Sequence, residues 1–477
     1  MVKSLQQHLN GQLKKYPELS KSEDNKLWCG LCAVHLEVSI KGKWDSKHGS
    51  ATVKNHCEGK NHQEFLKANK PKASSIKDAF EKASKGFESD QDFSKFLTKR
   101  MICCNIPLSK ADLTAFKEIF ARFNQKVPHS TTLRNNINDV YIAIIHKIRE
   151  SIGESKIYFI VDETTDRNGR KVCNVLVGKL NGQYSKPMLL NVAFLSQVNN
   201  ETIGQTILDS CILLWNGKIY YDKLILIISD QASYMLLAVK NLKNHFSNLN
   251  HITCLSHALH RVCEKIRSDN EDINRLISKV KSILLKSKER QIQFVQSTGC
   301  SLPPQVILTR WGSWISAAFY YHENFDKIRM FIENLRGKSN AILSAKEVMQ
   351  NIDIQNHLME IKKYEFIPLA IEKLEKQGLK AQEQIDIVED VKSKLSGNPL
   401  NKLLSSLAKN PDYNSFRNSN KSFEHQFITM YAPYVSVDVE RSFSMYRDIL
   451  TDKRTNLSDD NIEKYNIVYY NSFLNEN

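Results

Sequence analysis

Two runs of five apolar residues, Ile157 to Val161 and Leu224 to Ile228, constrain what this chain can fold into more than any other feature. Each is too short for a typical helix and rich in β-branched or aromatic side chains, the pattern of a strand buried on both faces. Each leads into an acid: Asp162 directly after the first run, Asp230 one residue beyond Ser229 after the second. A carboxylate at the mouth of a buried strand is costly unless it has a partner, and a metal ion is one partner that offsets the cost.

The residues between the runs predict how the strands are arranged. Asn168-Gly169 and Asn181-Gly182 stand at the spacing of consecutive hairpin turns and flank strand-like segments from Val172 to Val177 and from Pro187 to Leu195, which makes an antiparallel meander. A helix from about Glu201 to Leu214, with Ile203, Ile207, Leu208 and Cys211 on its apolar face, then serves as a crossover. The second run can therefore lie parallel to the first, and Asp162 meets Asp230 at one sheet edge. Two carboxylates that close repel unless one is protonated or a divalent cation lies between them. Asp residues that merely cap strand ends are the alternative. The order strand, strand, strand, helix, strand, with acids on the first and fourth strands, is that of RNase H-like nucleases and transposases, which take a third carboxylate from a later helix. The candidate is Glu440. It borders by one position the helical seam of Val439, Phe443, Tyr446 and Leu450, while Asp438 and Asp448 are expected to point further away. On spacing alone Glu440 reads as a solvated residue near a helix start. Ser458 is expected to cap the helix that follows.

At the front of the chain, Cys29 and Cys32 form a C-x2-C knuckle, and His56 and His62 follow a helix-like lead from Ala51 to Asn55. These four are zinc-type ligands in the order of a structural finger, with Val38, Ile40 and Trp44 as a small apolar core. His35, His48 and Cys57 are spare donors, which leaves the second ligand pair open, and reduced, unmetallated cysteines are the alternative. Residues 67–88 shift to Lys, Ala and Ser and read as a linker. Residues 90–150 carry helical spacing, with Ser130 to Thr132 as a possible helix cap. Cys254 and His257, one helical turn apart, read as packing or site-lining residues before metal ligands. Residues 270–400 are mostly helical and charged.

The chain holds 67 Lys and Arg against 52 Asp and Glu, a net charge of +15 that favours nucleic acid before membrane as a partner. Residues 1–85 contribute 16 Lys, no Arg and nine acids to that surplus. The ten cysteines are too sparse for a secreted disulfide scaffold, and no apolar run approaches the roughly 18 residues that span a bilayer. An intracellular, soluble protein is the expectation, with no membrane partner.

DETTD at 162–166, SDQAS at 229–233, CLSH at 254–257, TRW at 309–311 and VERSFS at 439–444, followed by DKR and N-L, resemble the ordered motifs of hAT-family transposases. The front finger resembles the BED type common in that family, and the middle of the chain resembles transposon-derived genes labelled as relatives of CGG triplet-repeat binding protein. The resemblance implies an α/β fold with an RNase H-like catalytic core, a mixed five-stranded sheet, interrupted by a helical insertion and preceded by a small zinc finger and a helical module. The implied boundaries are a finger over 1–66, a linker over 67–88, a helical DNA-binding or packing module over 89–152, the core over 153–268, the insertion over 269–405, and the last part of the core with a dimerisation segment over 406–477. Asp162, Asp230 and Glu440 would be a DDE triad holding Mg2+ or Mn2+, and the finger would hold Zn2+. Trp311 beside Arg310 would stack on a base flipped from the duplex. The implied activity is metal-dependent cleavage of double-stranded DNA at transposon ends, hairpin formation and strand transfer to target, by a homodimer or larger homo-oligomer in the nucleus. A catalytically silent zinc-finger DNA-binding regulator derived from a transposase is the alternative.

Overall fold

The computed structural model describes residues 4–21, 26–29, 32, 34–36, 38–40, 43–45, 48–63, 90–306, 312–337, 339–417, 426–427, 429–450 and 457–475. The chain divides into two compact units, Met1–Glu88 and Ser89–Asn477.

The first unit opens with a helix the sequence reading did not anticipate, Leu5–Lys15, started by a capping box between Ser4 and Gln7. Three short strands follow, β1 (Leu19–Lys21), β2 (Leu27–Cys29) and β3 (Val34–Leu36), in an antiparallel sheet where Leu19 pairs with Cys29. The two-stranded ribbon β4 (Ser39–Ile40) and β5 (Lys43–Trp44) and the helix Gly49–Cys57 complete it. Val38 is fully buried and Trp44 packs at the edge of the core, as expected, while the side chain of Ile40 lies outside the described residues. Leu9, Leu19, Leu27, Leu36 and Val53 supply the rest of the interior.

In the second unit, β6 (Lys156–Thr165), β7 (Lys171–Leu180) and β8 (Met188–Leu195) form the antiparallel meander. Its two turns use Gly169 and Gly182 at φ of 79° and 77°, a region that favours glycine, which is why each turn is an Asn-Gly pair. The crossover helix Asn200–Leu214, capped by Asn199, leads to β9 (Leu224–Ser229), parallel to β6, and β10 (Asn250–Thr253) lies parallel to β9. The order β10-β9-β6-β7-β8 makes the mixed five-stranded sheet that was expected. Its central runs are buried on both faces because helices cover both. On one face Ser210 of the crossover helix accepts a hydrogen bond from Asn191 of β8, which pairs with Val175. On the other face Asn174 of β7 donates to Ser442 of the helix Val437–Ile449 at 2.8 Å.

The described residues between 271 and 417 carry helices and no strand, in keeping with a helical insertion. The last long helix, Asp459–Tyr470, is capped by Ser458, and Asn471 just beyond it hydrogen-bonds both the amide and the carbonyl of Leu189 in β8. Ahead of the sheet, the helix Ser130–Asn135 is capped by His129, with Ser130 already inside the first turn, so the expected cap is displaced by one residue. Among the described residues, no helix is long and apolar enough to cross a membrane.

Candidate functional site

Ile160 of β6 pairs with Ile228 of β9 in parallel register, the last pair before Asp162 in β6 and Asp230 just beyond β9, and the Asp230 charge acts on Asp162. Across the antiparallel neighbour, Asp162 pairs with Asn174. Because Asn174 holds Ser442, the helix Val437–Ile449 packs on the Asp162 face and carries Glu440 with it. Asp162 Oδ1 accepts from the Glu163 amide at 2.9 Å, and Asp230 Oδ1 accepts from the Ala232 amide at 3.0 Å.

Asp162 as a residue is half-buried. Its carboxyl is held well above the usual carboxylate range by burial and by the negative charges of Asp230, Glu163 and Glu440, against the opposing pull of His257. That accumulation of negative potential is the condition that favours a divalent cation, so the residues fit a Mg2+ or Mn2+ site. The ligand atoms of the three acids do not all lie within 4.8 Å of one another: among the described residues such groups occur only in the first unit. Carboxylates that share a pair of ions about 3.5–4 Å apart need not meet at one point.

Cys254 and His257 line this site from behind. The Ser436 amide donates to Cys254 Sγ at 3.2 Å, and the Ser436 hydroxyl lies 3.3 Å from His257 Nδ1, so both side chains grip the residue that starts the Glu440 helix. His257 Nε2 lies 3.8 Å from Glu440 Oε1. Burial opposes charge on both groups. Even so, His257 draws the Cys254 thiol below its ordinary value, and Cys254, Asp162 and Glu440 together lift His257 to about 10. His257 is the basic group that the carboxyls of Asp162 and Glu440 face here.

Other residues of the same motifs have different work. Asp166 accepts from the amides of Asn168 and Arg170, from Arg170 Nε at 2.8 Å and from the Tyr446 hydroxyl at 2.9 Å, tying the first hairpin turn to the Glu440 helix. Asp438, expected to point further from the site than Glu440, is buried and accepts from Gln377 at 2.7 Å and Arg441 at 2.6 Å. Two residues at the site were not foreseen. Glu163 accepts from the Tyr234 hydroxyl and keeps a second, buried oxygen without a hydrogen-bond partner. Asn174 carries no charge to mark it in the sequence. Arg310 and Trp311 lie outside the described residues.

In the first unit, Cys29, Cys32, His56 and His62 place one ligand atom each within 4.8 Å of the others. His62 follows a break after the finger helix, where the Gly59 amide bonds the His56 carbonyl, and this turn accommodates the long H-x5-H spacing. Nδ1 of His62 lies 3.5 Å from Cys29 Sγ and 3.3 Å from Cys32 Sγ. Nε2 of His56 is buried without a hydrogen-bond partner. Burial and the neighbouring Cys29 push the Cys32 thiol up to about 11, while burial and His62 lower His56, which keeps its imidazole neutral. Crowded soft donors with an orphaned buried nitrogen fit a tetrahedral Zn2+ site, whose binding would displace thiol protons. A second group, Glu18, Cys57 and His62, shares the same histidine. The spare donor His48 is exposed and pairs with Asp45, and the side chain of His35 lies outside the described residues.

Residues 124–289 match a family described as Domain of unknown function (DUF659), a stretch that contains Asp162, Asp230, Cys254 and His257 and stops before Glu440. No curated protein matches the chain. Among solved structures, the Drosophila P element transposase strand transfer complex is similar, with a TM-score of 0.40 and 13% sequence identity over 86% of this chain and 97% of that one.

Proposed function

We propose that this chain is a DNA transposase of hAT type, or descends from one, and acts on double-stranded DNA at transposon ends and target. The observation that supports the reading is that the charges of Asp230 and Glu440 both act on Asp162, with Glu440 on a helix covering the Asp162 face of the sheet. Asp162, Asp230 and Glu440 would hold the catalytic ions; bound Mg2+ or Mn2+ would supply activation of water and of a DNA 3′ hydroxyl and would neutralise charge on the phosphate under attack. The carboxylates fix where the scissile phosphate sits, and the sheet edge keeps them from moving with the DNA. Water cuts one strand, releasing a 3′ hydroxyl that attacks the opposite strand and later the target, each time by in-line substitution at phosphorus. No side chain becomes covalently attached.

The finger, with Zn2+ on Cys29, Cys32, His56 and His62, and the basic helical module over 89–152 would bind element ends. Arg310 and Trp311 would meet the flipped base, and the segment over 406–477 would join protomers into a homodimer or larger assembly. DNA as the partner implies the nucleus. The test is purified chain with Mn2+ or Mg2+ and DNA carrying the gene's own flanking ends. Metal-dependent nicking and hairpin formation that Asp162→Asn abolishes is the expected result; binding without nicking would leave only the silent regulator.

A further inference from the structure

The zinc site carries one relationship that its four ligands do not explain. His62 is almost fully buried, and its two ring nitrogens face different partners. Nδ1 looks at the two thiols, while Nε2 lies 3.2 Å from Glu18 Oε1, a carboxylate that is itself only 14% exposed. Backbone register delivers that carboxylate: Glu18 immediately precedes Leu19, and Leu19 pairs with Cys29, so the residue before β1 arrives next to the knuckle. The chain entering β1 is fixed in turn by the helix Leu5–Lys15, whose end is closed by Tyr16 and from which the Leu19 amide is bonded to the Tyr16 carbonyl.

We propose that Glu18 is the outer-shell partner of the zinc site, accepting the Nε2 proton of His62 and so committing His62 to bind the ion through Nδ1. A neutral imidazole has one ring N–H, and a metal takes the nitrogen without it; a carboxylate at the other nitrogen fixes both the tautomer and the ring orientation and makes the ligating nitrogen more basic. Glu18 is a positioning residue and touches no ion. The helix before the finger thereby becomes part of the metal site, because it holds the strand entry that presents Glu18. This inference rests on the zinc reading of the first unit and goes beyond it.

The experiment titrates Zn2+ into the full chain against a chromophoric chelator in excess Mg2+, which fills the carboxylate site of the second unit, and records the visible spectrum of the Co2+ form, for the native sequence, Glu18→Gln, Glu18→Ala and Glu58→Gln. The native chain is expected to take one equivalent. Glu18→Ala should bind Zn2+ roughly 10–100-fold more weakly and shift the Co2+ bands, since the imidazole is no longer held. Glu18→Gln, which keeps an acceptor for Nε2–H, should recover part of both, a rescue that a merely structural carboxylate would not give. Glu58→Gln removes a nearby negative charge, keeps an acceptor for the Tyr16 hydroxyl, and should leave affinity and spectrum unchanged. Unaltered affinity and spectrum in Glu18→Ala would overturn the inference while leaving the zinc site standing. A second equivalent bound by the native chain and lost in Cys57→Ser would overturn it as well, by making Glu18 a ligand with Cys57. No binding by the native chain would remove the zinc reading itself.

Discussion

At the scale of single residues, two acids of one motif have opposite environments and predict opposite responses. Asp162 sits where burial and neighbouring acids disfavour its charge. A carboxyl raised in the folded state contributes stability that is present at low pH and lost as pH rises through its folded value. Without divalent metal, Asp162→Asn should therefore raise the melting temperature by roughly 2 °C or more, with a gain that grows with pH; a chain in which Asp162 merely caps a strand would melt lower. Asp166 is the reverse. Burial opposes its charge, but hydrogen bonds from Arg170, Tyr446 and the turn amides hold its carboxyl below the usual range. Its contribution is present above its ordinary pKa and is lost as pH falls through the folded one. Asp166→Ala should destabilise by about 3 kcal/mol in a denaturant titration at neutral pH, because Arg170 and Tyr446 lose a buried partner. Asp162 and Asp230 were legible because each ends a continuous apolar run. The burial of Asp438 was not legible because its partner Gln377 comes from the helical insertion, and Asn174 was missed because Ser442 lies 268 positions away. Local spacing does not show such partners.

At the scale of elements, the strands of the sheet could be placed closely from the sequence because turn chemistry and burial agree. Asn-Gly pairs set the hairpins, and continuous apolar runs exist only where helices cover both faces. The helix Leu5–Lys15 escaped notice because its apolar residues are few and its role depends on packing against strands that are themselves only two or three residues long. The last long helix has a titration of its own. Glu463, within Asp459–Tyr470, is pushed up to about 7 by burial and by Asp460, with Lys464 opposing. Its neutral form favours the fold, so stability should fall as pH rises from about 4.5 to about 7. Glu463→Gln should remove that part of the pH dependence, as read by denaturant midpoints at pH 5 and pH 8; an unchanged difference between the two would place Glu463 in solvent.

At the scale of the whole molecule, the two compact units depend on different forces. The second has an extended apolar core around its sheet, whereas the first has a small one and four crowded ligand atoms. Binding energy in a structural zinc site is folding energy. A strong chelator should therefore unfold the first unit, seen as loss of its melting transition and new protease cleavage within residues 4–63, and leave the transition of the second unit in place. What the sequence made legible at this scale was the meander with a parallel strand beside it, because two buried apolar runs that each lead into an acid, with a crossover helix before the second, admit few topologies. The third acid is the one that local spacing shows least, because the Glu440 helix is held by Asn174, Cys254 and His257 through Ser442 and Ser436. The most direct test of the central claim is accordingly the metal-dependent cleavage rate of Glu440→Gln on element-end DNA. A shared carboxylate site predicts a rate below about 1% of the native chain, a loss of at least roughly 2.7 kcal/mol in transition-state stabilisation, with DNA binding and melting temperature retained. Cleavage at the native rate by Glu440→Gln would contradict it.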